Sequence, residues 1–189
     1  MILPQFQAVG RDLFTGGLVS SSGGNLSVRF GDRIIITRRG SLLGCLQEND
    51  LIETGITRND RNTPLASIEL PVHRAIYQAT PASAIVHAHP PYSIALSLNE
   101  TEIVPTNTEG LSMLGRVPVL GRGVEVKPGG LADIISEALK QCRIVMVYGH
   151  GSFAVGQLFE EAFTCTTMLE ESARVICLLK SLQVDQTSK

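Results

Sequence analysis

Ser83-Ala84-Ile85-Val86-His87-Ala88-His89-Pro90-Pro91 is the stretch on which the reading of this chain turns. Ala84 to Ala88 is short and apolar with β-branched residues at its centre, as in a buried strand. Pro90 has no N–H with which to continue strand pairing. Residues two apart on a strand project from one face, so His87 and His89 can converge on a single ion. Termination at Pro90 puts the pair at the end of a sheet, where α/β proteins form their sites.

Working outward, the segment before this strand reads as a helix from Ser67 to about Gln78, with Ser67 as N-cap, Glu69 in the first turn and Pro71 close enough to the start to be tolerated. The segment after it reads as a helix from about Pro91 to Leu98. Upstream, a helix within Pro4 to Val19 ends at Gly16-Gly17. Two alternating runs, Asn25 to Phe30 and Arg33 to Thr37, meet at Gly31-Asp32, a hairpin signal. Glu53 to Thr63 is polar and reads as a loop or an edge strand. Downstream come a strand near Val117 to Leu120, a helix from about Gly130 to Lys140, and strands at Ile144 to Tyr148 and Ser152 to Gly156. A long helix follows from about Leu158 to Leu182. Its Phe159, Ala162, Phe163, Thr166, Leu169, Ala173 and Ile176 recur at steps of three and four, which predicts one buried stripe. No linker divides the chain, so residues 1–189 are expected to form one α/β domain with a sheet covered by helices.

Composition narrows the function. With 189 residues, 43% of them apolar and 18% charged, the chain can bury an ordinary globular core. A net charge of −2 offers no basic field for a phosphate backbone, so nucleic acid is not an expected partner. No Lys/Arg run points to an anionic membrane, and no apolar run is long enough to span one. Met1-Ile2-Leu3-Pro4 lacks the basic and apolar regions of a signal peptide. Cys45, Cys142, Cys165 and Cys177 show no C-x-x-C spacing and read as small hydrophobes in a reducing compartment. The cytoplasm is the expected location.

Three of the four histidines fall in pointed contexts. His150 lies in Gly149-His150-Gly151 after another apolar strand, where flanking glycines leave its ring room to turn inward. Any one of these histidines alone is as well explained by packing. Together, His87, His89 and His150 match the three neutral imidazoles and open position of a catalytic zinc. His73, one helical turn after Glu69, reads as a residue behind the site or simply a packed one. Glu69 has two readings: a partner of the helix dipole, or the base of the site. For an anionic substrate group, Gly23-Gly24-Asn25 can form a nest of amides, Arg38-Arg39-Gly40-Ser41 supplies charge and close backbone approach, and Ser67 stands at a helix start.

At these residues the chain resembles the class II aldolase/adducin family. The resemblance rests on an ordered set: Gly24-Asn25-Leu26-Ser27, Ile36-Thr37-Arg38-Arg39-Gly40, Ser67-Ile68-Glu69 with His73 and Tyr77, His87-Ala88-His89-Pro90, Gly149-His150-Gly151, and a helix with Glu160-Glu161-Ala162. It implies a central mixed or antiparallel sheet with helices on both faces. It also implies a homotetramer with sites at subunit boundaries, and one divalent ion per chain, zinc with manganese or cobalt as alternatives. His87, His89 and His150 would hold that ion. Glu69 would ligate it in the empty site and act as acid/base once substrate binds. Gly24, Asn25, Arg39, Gly40, Ser67 and Ile68 take the positions of the family's phosphate contacts, with Arg39 and Ile68 departing from the more usual threonine or serine. The activity implied is cleavage of a ketose 1-phosphate, like fuculose 1-phosphate, to dihydroxyacetone phosphate and a small aldehyde through a metal-stabilised enediolate. A methylthioribulose-1-phosphate dehydratase-like lyase and a ribulose-phosphate 4-epimerase share these parts. A non-catalytic, adducin-like domain is disfavoured because all four metal-site residues are present. The tyrosine that fuculose-phosphate aldolases place near Glu109 has no counterpart here; the tyrosines are Tyr77, Tyr92 and Tyr148.

Overall fold

The computed structural model describes residues 2–123 and 130–187. Its order is α1 (Leu3–Thr15), β1 (Asn25–Phe30), β2 (Arg33–Thr37), β3 (Leu51–Gly55), α2 (Leu70–Ala79), β4 (Ala84–Ala88), α3 (Pro91–Ser97), β5 (Glu102–Ile103), α4 (Thr108–Leu114), β6 (Val117–Leu120), α5 (Gly130–Ala138), β7 (Ile144–Val147), β8 (Gly151–Gly156) and α6 (Phe159–Thr187). Local chemistry sets many of these bounds. Phe30 pairs with Arg33 across the expected hairpin, and Gly31 takes the φ of +62° that the tight turn requires at its first position.

The strands form one sheet in the order β3-β2-β1-β4-β8-β7-β6-β5. Only β6 and β7 run parallel, joined through α5; the other neighbours are antiparallel. Strand alternation splits the core into two layers. Leu26, Val28, Val86, Ala88, Met146 and Ala154 face α1, α3, α4 and α6. Ile34, Ile36, Ile85, Val145, Phe153 and Val155 face α2 and α5. The expected sheet with helices on both faces is therefore present. No helix among the described residues is long and apolar enough to cross a membrane.

Three expectations are corrected. Helix α2 begins at Leu70, with Glu69 rather than Ser67 at the N-cap position. Proline decides this: capping at Ser67 would put Pro71 fourth in the helix, where an N–H must donate back to the cap carbonyl. Starting at Leu70 puts Pro71 in the first turn, where no donor is needed. Strand β3 is the edge strand, but it starts at Leu51 and the chain leaves the sheet after Gly55. Finally, β5 and α4 have no counterpart in the sequence reading. Two residues carry no periodicity, and α4 contains Gly110, a poor helix former. The glycine is there because a Cβ would meet Ser172 Oγ on α6 at 2.2 Å.

Candidate metal centre

Asn25, His87 and Phe153 are paired in register across β1, β4 and β8, so they form one row on the α2 face of the sheet. His87 is 1% exposed and stacks on Phe153 with ring centroids 4.1 Å apart. Its Nδ1 lies 2.9 Å from the Ser152 carbonyl oxygen. A carbonyl only accepts, so Nδ1 carries the ring proton and Nε2 presents a lone pair. His89, just past the strand end, brings its Nε2 to 3.0 Å from that atom. His150, in the turn between β7 and β8, stacks against His87 at 5.1 Å.

Glycines make this crowding possible. A Cβ on Gly151 would lie 2.4 Å from the Ala88 carbonyl oxygen, 2.7 Å from His89 Cδ2 and 3.1 Å from His87 Cε1. One on Gly23 would meet His89 Nδ1 at 2.8 Å. The rings thus occupy space that any other residue would need. His89 is also held from both sides. Its own amide donates to the Leu18 carbonyl at 2.7 Å. Immediately beyond it, the Tyr92 and Ser93 amides at the start of α3 donate at 2.9 Å to Glu170, a buried carboxylate of α6, and the Ser93 hydroxyl adds a third bond at 2.8 Å.

Glu69 makes no cap hydrogen bond to α2. Its carboxylate turns into the site instead, with Oε1 3.0 Å from His150 Nε2 and Oε2 3.0 Å from His87 Nε2. Asn25 Nδ2 donates to Oε2 at 2.6 Å. Burial alone would raise the Glu69 carboxyl. Hydrogen bonds from His150 and from the Asn25 amide reverse that and hold it far below the usual carboxylate range. Burial, reinforced by His87 and His150 and opposed by Glu69, pulls His89 down to about 4, so near neutral pH it is an uncharged ring.

The lone pair of His87 Nε2 therefore faces a carboxylate oxygen and a second imidazole nitrogen with no proton of its own to place between them. This donor set fits a divalent cation. One nitrogen from each of His87, His89 and His150 lies within 4.8 Å of the others, and Glu69 adds charge beside two of them.

A cavity of about 170 Å³ opens beside the imidazoles, lined by Ser22, Gly23, Gly24, Asn25, Arg38, Arg39, Gly40, Ser41, Ser67, Ile68 and Glu69, with His89 and His150 at one wall. Gly24 and Gly40 both take left-handed φ values of +75°. Arg38 and Arg39 are tied down by their amides, which donate to Asp50 and Leu65. The Ser67 amide donates to Thr37, and its hydroxyl accepts from the Glu69 amide at 3.3 Å, leaving the hydroxyl proton for a ligand. Ile68 is exposed and offers only its backbone. Asn25 is 5% exposed, and its carboxamide is engaged by Glu69 and His73, so it faces the carboxylate more than the cavity.

Residues 5–177 match the model of the class II aldolase and adducin N-terminal domain. The chain belongs to this family. It is 31% identical over 177 residues to the L-fuculose phosphate aldolase of Methanocaldococcus jannaschii, covering 92% of this chain and 94% of that one. Its fold superposes on the crystal structure of l-fuculose-1-phosphate aldolase from Thermus thermophilus with a TM-score of 0.88 and 36% identity, covering 95% and 94% of the two chains. A Nocardia farcinica protein named "Probable bifunctional methylthioribose-1-phosphate isomerase/methylthioribulose-1-phosphate dehydratase" is 38% identical over 96 residues, 48% of this chain and 17% of that one. The chain is thus a class II aldolase-type enzyme, of a metal-dependent family acting on sugar phosphates.

Nothing in the sequence assigns a role to Glu170 or Phe153, and Ser27 beneath Asn25 stands there only as part of the Gly24-Asn25-Leu26-Ser27 run. A signal for Ser27 was present: polar residues at the alternate positions 25, 27 and 29 of the strand, with His73 and Tyr77 one turn apart in α2. The acid pair Glu170-Glu171 after Leu169 in a long helix gave no comparable signal for Glu170.

Proposed function

We propose that this protein is a metal-dependent aldolase that cleaves a ketose 1-phosphate, fuculose 1-phosphate-like, into dihydroxyacetone phosphate and a small aldehyde. The observation that carries the reading is the Glu69 carboxylate. It lies 3.0 Å from both His87 and His150, free of its helix, and it opens onto a cavity walled by Arg39, Gly40 and Ser67. In this reading His87, His89 and His150 hold one zinc ion, with Glu69 beside it before substrate enters. When bound, the ion supplies positive charge against the substrate oxygens that become anionic as the C3–C4 bond breaks.

The chain's own groups do the rest. Arg39, the Gly24 and Gly40 turns, the Ser67 hydroxyl and the Ile68 backbone receive the phosphate and fix the position of C3. The C4 hydroxyl yields its proton to the Glu69 carboxylate as C3–C4 breaks, which releases the aldehyde and leaves the bonding pair in an enediolate. Glu69 returns a proton to C3, completing dihydroxyacetone phosphate. Asn25 keeps Glu69 Oε2 hydrogen-bonded and oriented meanwhile. An active homotetramer in the cytoplasm, with sites at subunit boundaries, completes the proposal.

The match to a dehydratase-named relative across 48% of the chain favours one second reading, loss of water from a ketose 1-phosphate through the same carboxylate. Proton exchange separates the two. In heavy water the metal-loaded enzyme should remove one prochiral C3 proton of dihydroxyacetone phosphate stereospecifically, without aldehyde, because the reverse of the last step is a deprotonation. In Glu69→Gln this exchange should fall about 100-fold or more while metal stays bound. Water release from a ketose 1-phosphate with no such exchange would replace the aldolase by the dehydratase.

A further inference from the structure

Behind Glu69 lies a buried chain of hydrogen bonds that the proposed chemistry does not use. Asn25 Oδ1 is 2.5 Å from His73 Nε2, His73 Nδ1 is 2.6 Å from Ser27 Oγ, and Ser27 Oγ is 2.9 Å from Tyr77 OH. His73, Ser27 and Tyr77 are each at most 1% exposed, so no solvent molecule competes for these bonds. Their direction follows from one end. A carboxylate accepts only, so Asn25 turns its N–H to Glu69 and its carbonyl oxygen to His73. That oxygen also only accepts, so His73 carries its proton on Nε2. Its Nδ1 then accepts from the Ser27 hydroxyl, which accepts from Tyr77. Each of these bonds then has one donor and one acceptor, with His73 neutral. Burial, opposed by Glu69 and helped by His87, pulls this ring down to about 3, in keeping with that assignment.

Asn25 can present either end of its carboxamide to Glu69, since the two ends have the same shape. With the other end forward, a carbonyl dipole would face the carboxylate and an N–H would face the His73 N–H. We propose that His73, fixed in its Nε2–H tautomer by Ser27 and Tyr77, is a positioning residue that locks the Asn25 carboxamide and through it the orientation of Glu69. This rests on the reading of Glu69 as the group that moves the proton. The His73 backbone amide donates to the Glu69 carbonyl as an ordinary bond of the helix start, while its side chain touches neither the imidazole cluster nor the cavity and acts only through Asn25.

The test has a spectroscopic arm and a kinetic arm. In protein carrying ¹⁵N-histidine, with the His73 signals assigned by their absence in His73→Gln, nitrogen shifts at pH 7 should report a neutral Nε2–H ring with a slowly exchanging proton. Exchange should quicken in Asn25→Ala. A Nδ1–H ring or an imidazolium overturns the proposal whatever the enzyme catalyses. In the second arm, His73→Leu removes the donor to Asn25, and His73→Gln keeps an N–H at about the Nε2 position. Glu69-dependent turnover, as kcat or C3 proton exchange, should fall about 10- to 100-fold in His73→Leu, with KM and bound metal little changed. His73→Gln should recover most of the loss. In an Asn25→Ala background the His73→Leu change should cost less than about twofold, because a residue acting through Asn25 has nothing left to act on. Equal losses in both backgrounds, or no recovery by glutamine, would mean that His73 only packs. If His73→Leu does not fold, the glutamine variant and the spectrum still decide. If no substrate turns over while the ring is Nε2–H, the proposed function fails and the lock stands.

Discussion

Gly151→Ala adds one methyl group at the place where the two halves of the metal centre meet. Gly151 has no left-handed backbone angle to preserve, so the whole effect is steric. The new Cβ would lie 2.4 Å from the Ala88 carbonyl oxygen, where ordinary contact begins near 3.4 Å, so β4 and β8 must part locally by about 1 Å. Overpacking of this kind costs about 1–3 kcal/mol of stability. The same methyl approaches His89 Cδ2 at 2.7 Å and His87 Cε1 at 3.1 Å, pushing both rings off the positions at which their nitrogens converge. Metal–ligand distances tolerate roughly 0.2 Å, so affinity should fall about 10- to 100-fold, or about 1.4–2.7 kcal/mol. Competition with a chromophoric chelator measures the affinity, and thermal melts of the metal-free protein measure the stability term separately. Wild-type affinity together with a wild-type melt in Gly151→Ala would show that the rings do not owe their positions to this glycine.

Arg39→Ala should raise KM for a phosphorylated ketose about 10- to 150-fold and leave an unphosphorylated analogue nearly unchanged; equal loss on both would place Arg39 outside phosphate binding. Glu170→Ala strips three hydrogen bonds from the start of α3 and should cost about 3–5 kcal/mol, lowering the melting temperature on the order of 10 °C and weakening metal binding through His89. Differential scanning calorimetry showing an unchanged melt would return Glu170 to a surface-like role. Acid should expose His73: its pKa of about 3 in the fold lies below the ordinary 6.5, so the unfolded chain takes up a proton first as pH falls below 6.5, and stability is lost from there towards pH 3. Between pH 7 and 5 this contributes about 2 kcal/mol, so urea unfolding of metal-free protein should show His73→Gln losing correspondingly less than wild type over that interval. Parallel losses in the two proteins would count against a neutral buried ring.

The parts legible in the sequence were those where a short pattern has one structural meaning. Alternation with Gly31-Asp32 between the runs specifies a hairpin, and His87-Ala88-His89-Pro90 specifies two rings at a strand end. The expected strands agree with the observed ones to within about a residue at β1, β2, β4, β6, β7 and β8. Reading α2 two or three residues early came from weighing Ser67 as a cap above Pro71 as a constraint. What was not legible depends on pairing between distant segments. Which face His87 shares with Asn25 and Phe153 is fixed only by the register of β1, β4 and β8. Glu170 gains its meaning from α3, some eighty residues earlier in the chain, and helix periodicity describes it merely as an acid on a buried stripe.

The centre straddles two mechanically different regions of one sheet. His87 and Asn25 sit on β4 and β1, with strands on either side, and His89 and His150 lie at the ends of β4 and β8. The cavity wall of Arg38 to Ser41 and Ser67 hangs from the end of β2, one strand from the edge, held to residues 50 and 65–66 by single backbone bonds. Amide hydrogen exchange should therefore be slowest in β1, β4 and β8, opening only with global unfolding, and faster by local openings at residues 38–41 and 65–68. A scaffold built this way can revise which anion it recognises without disturbing the ion beneath. Arg39 and Ile68, both proposed here as phosphate contacts, fall in the compliant region.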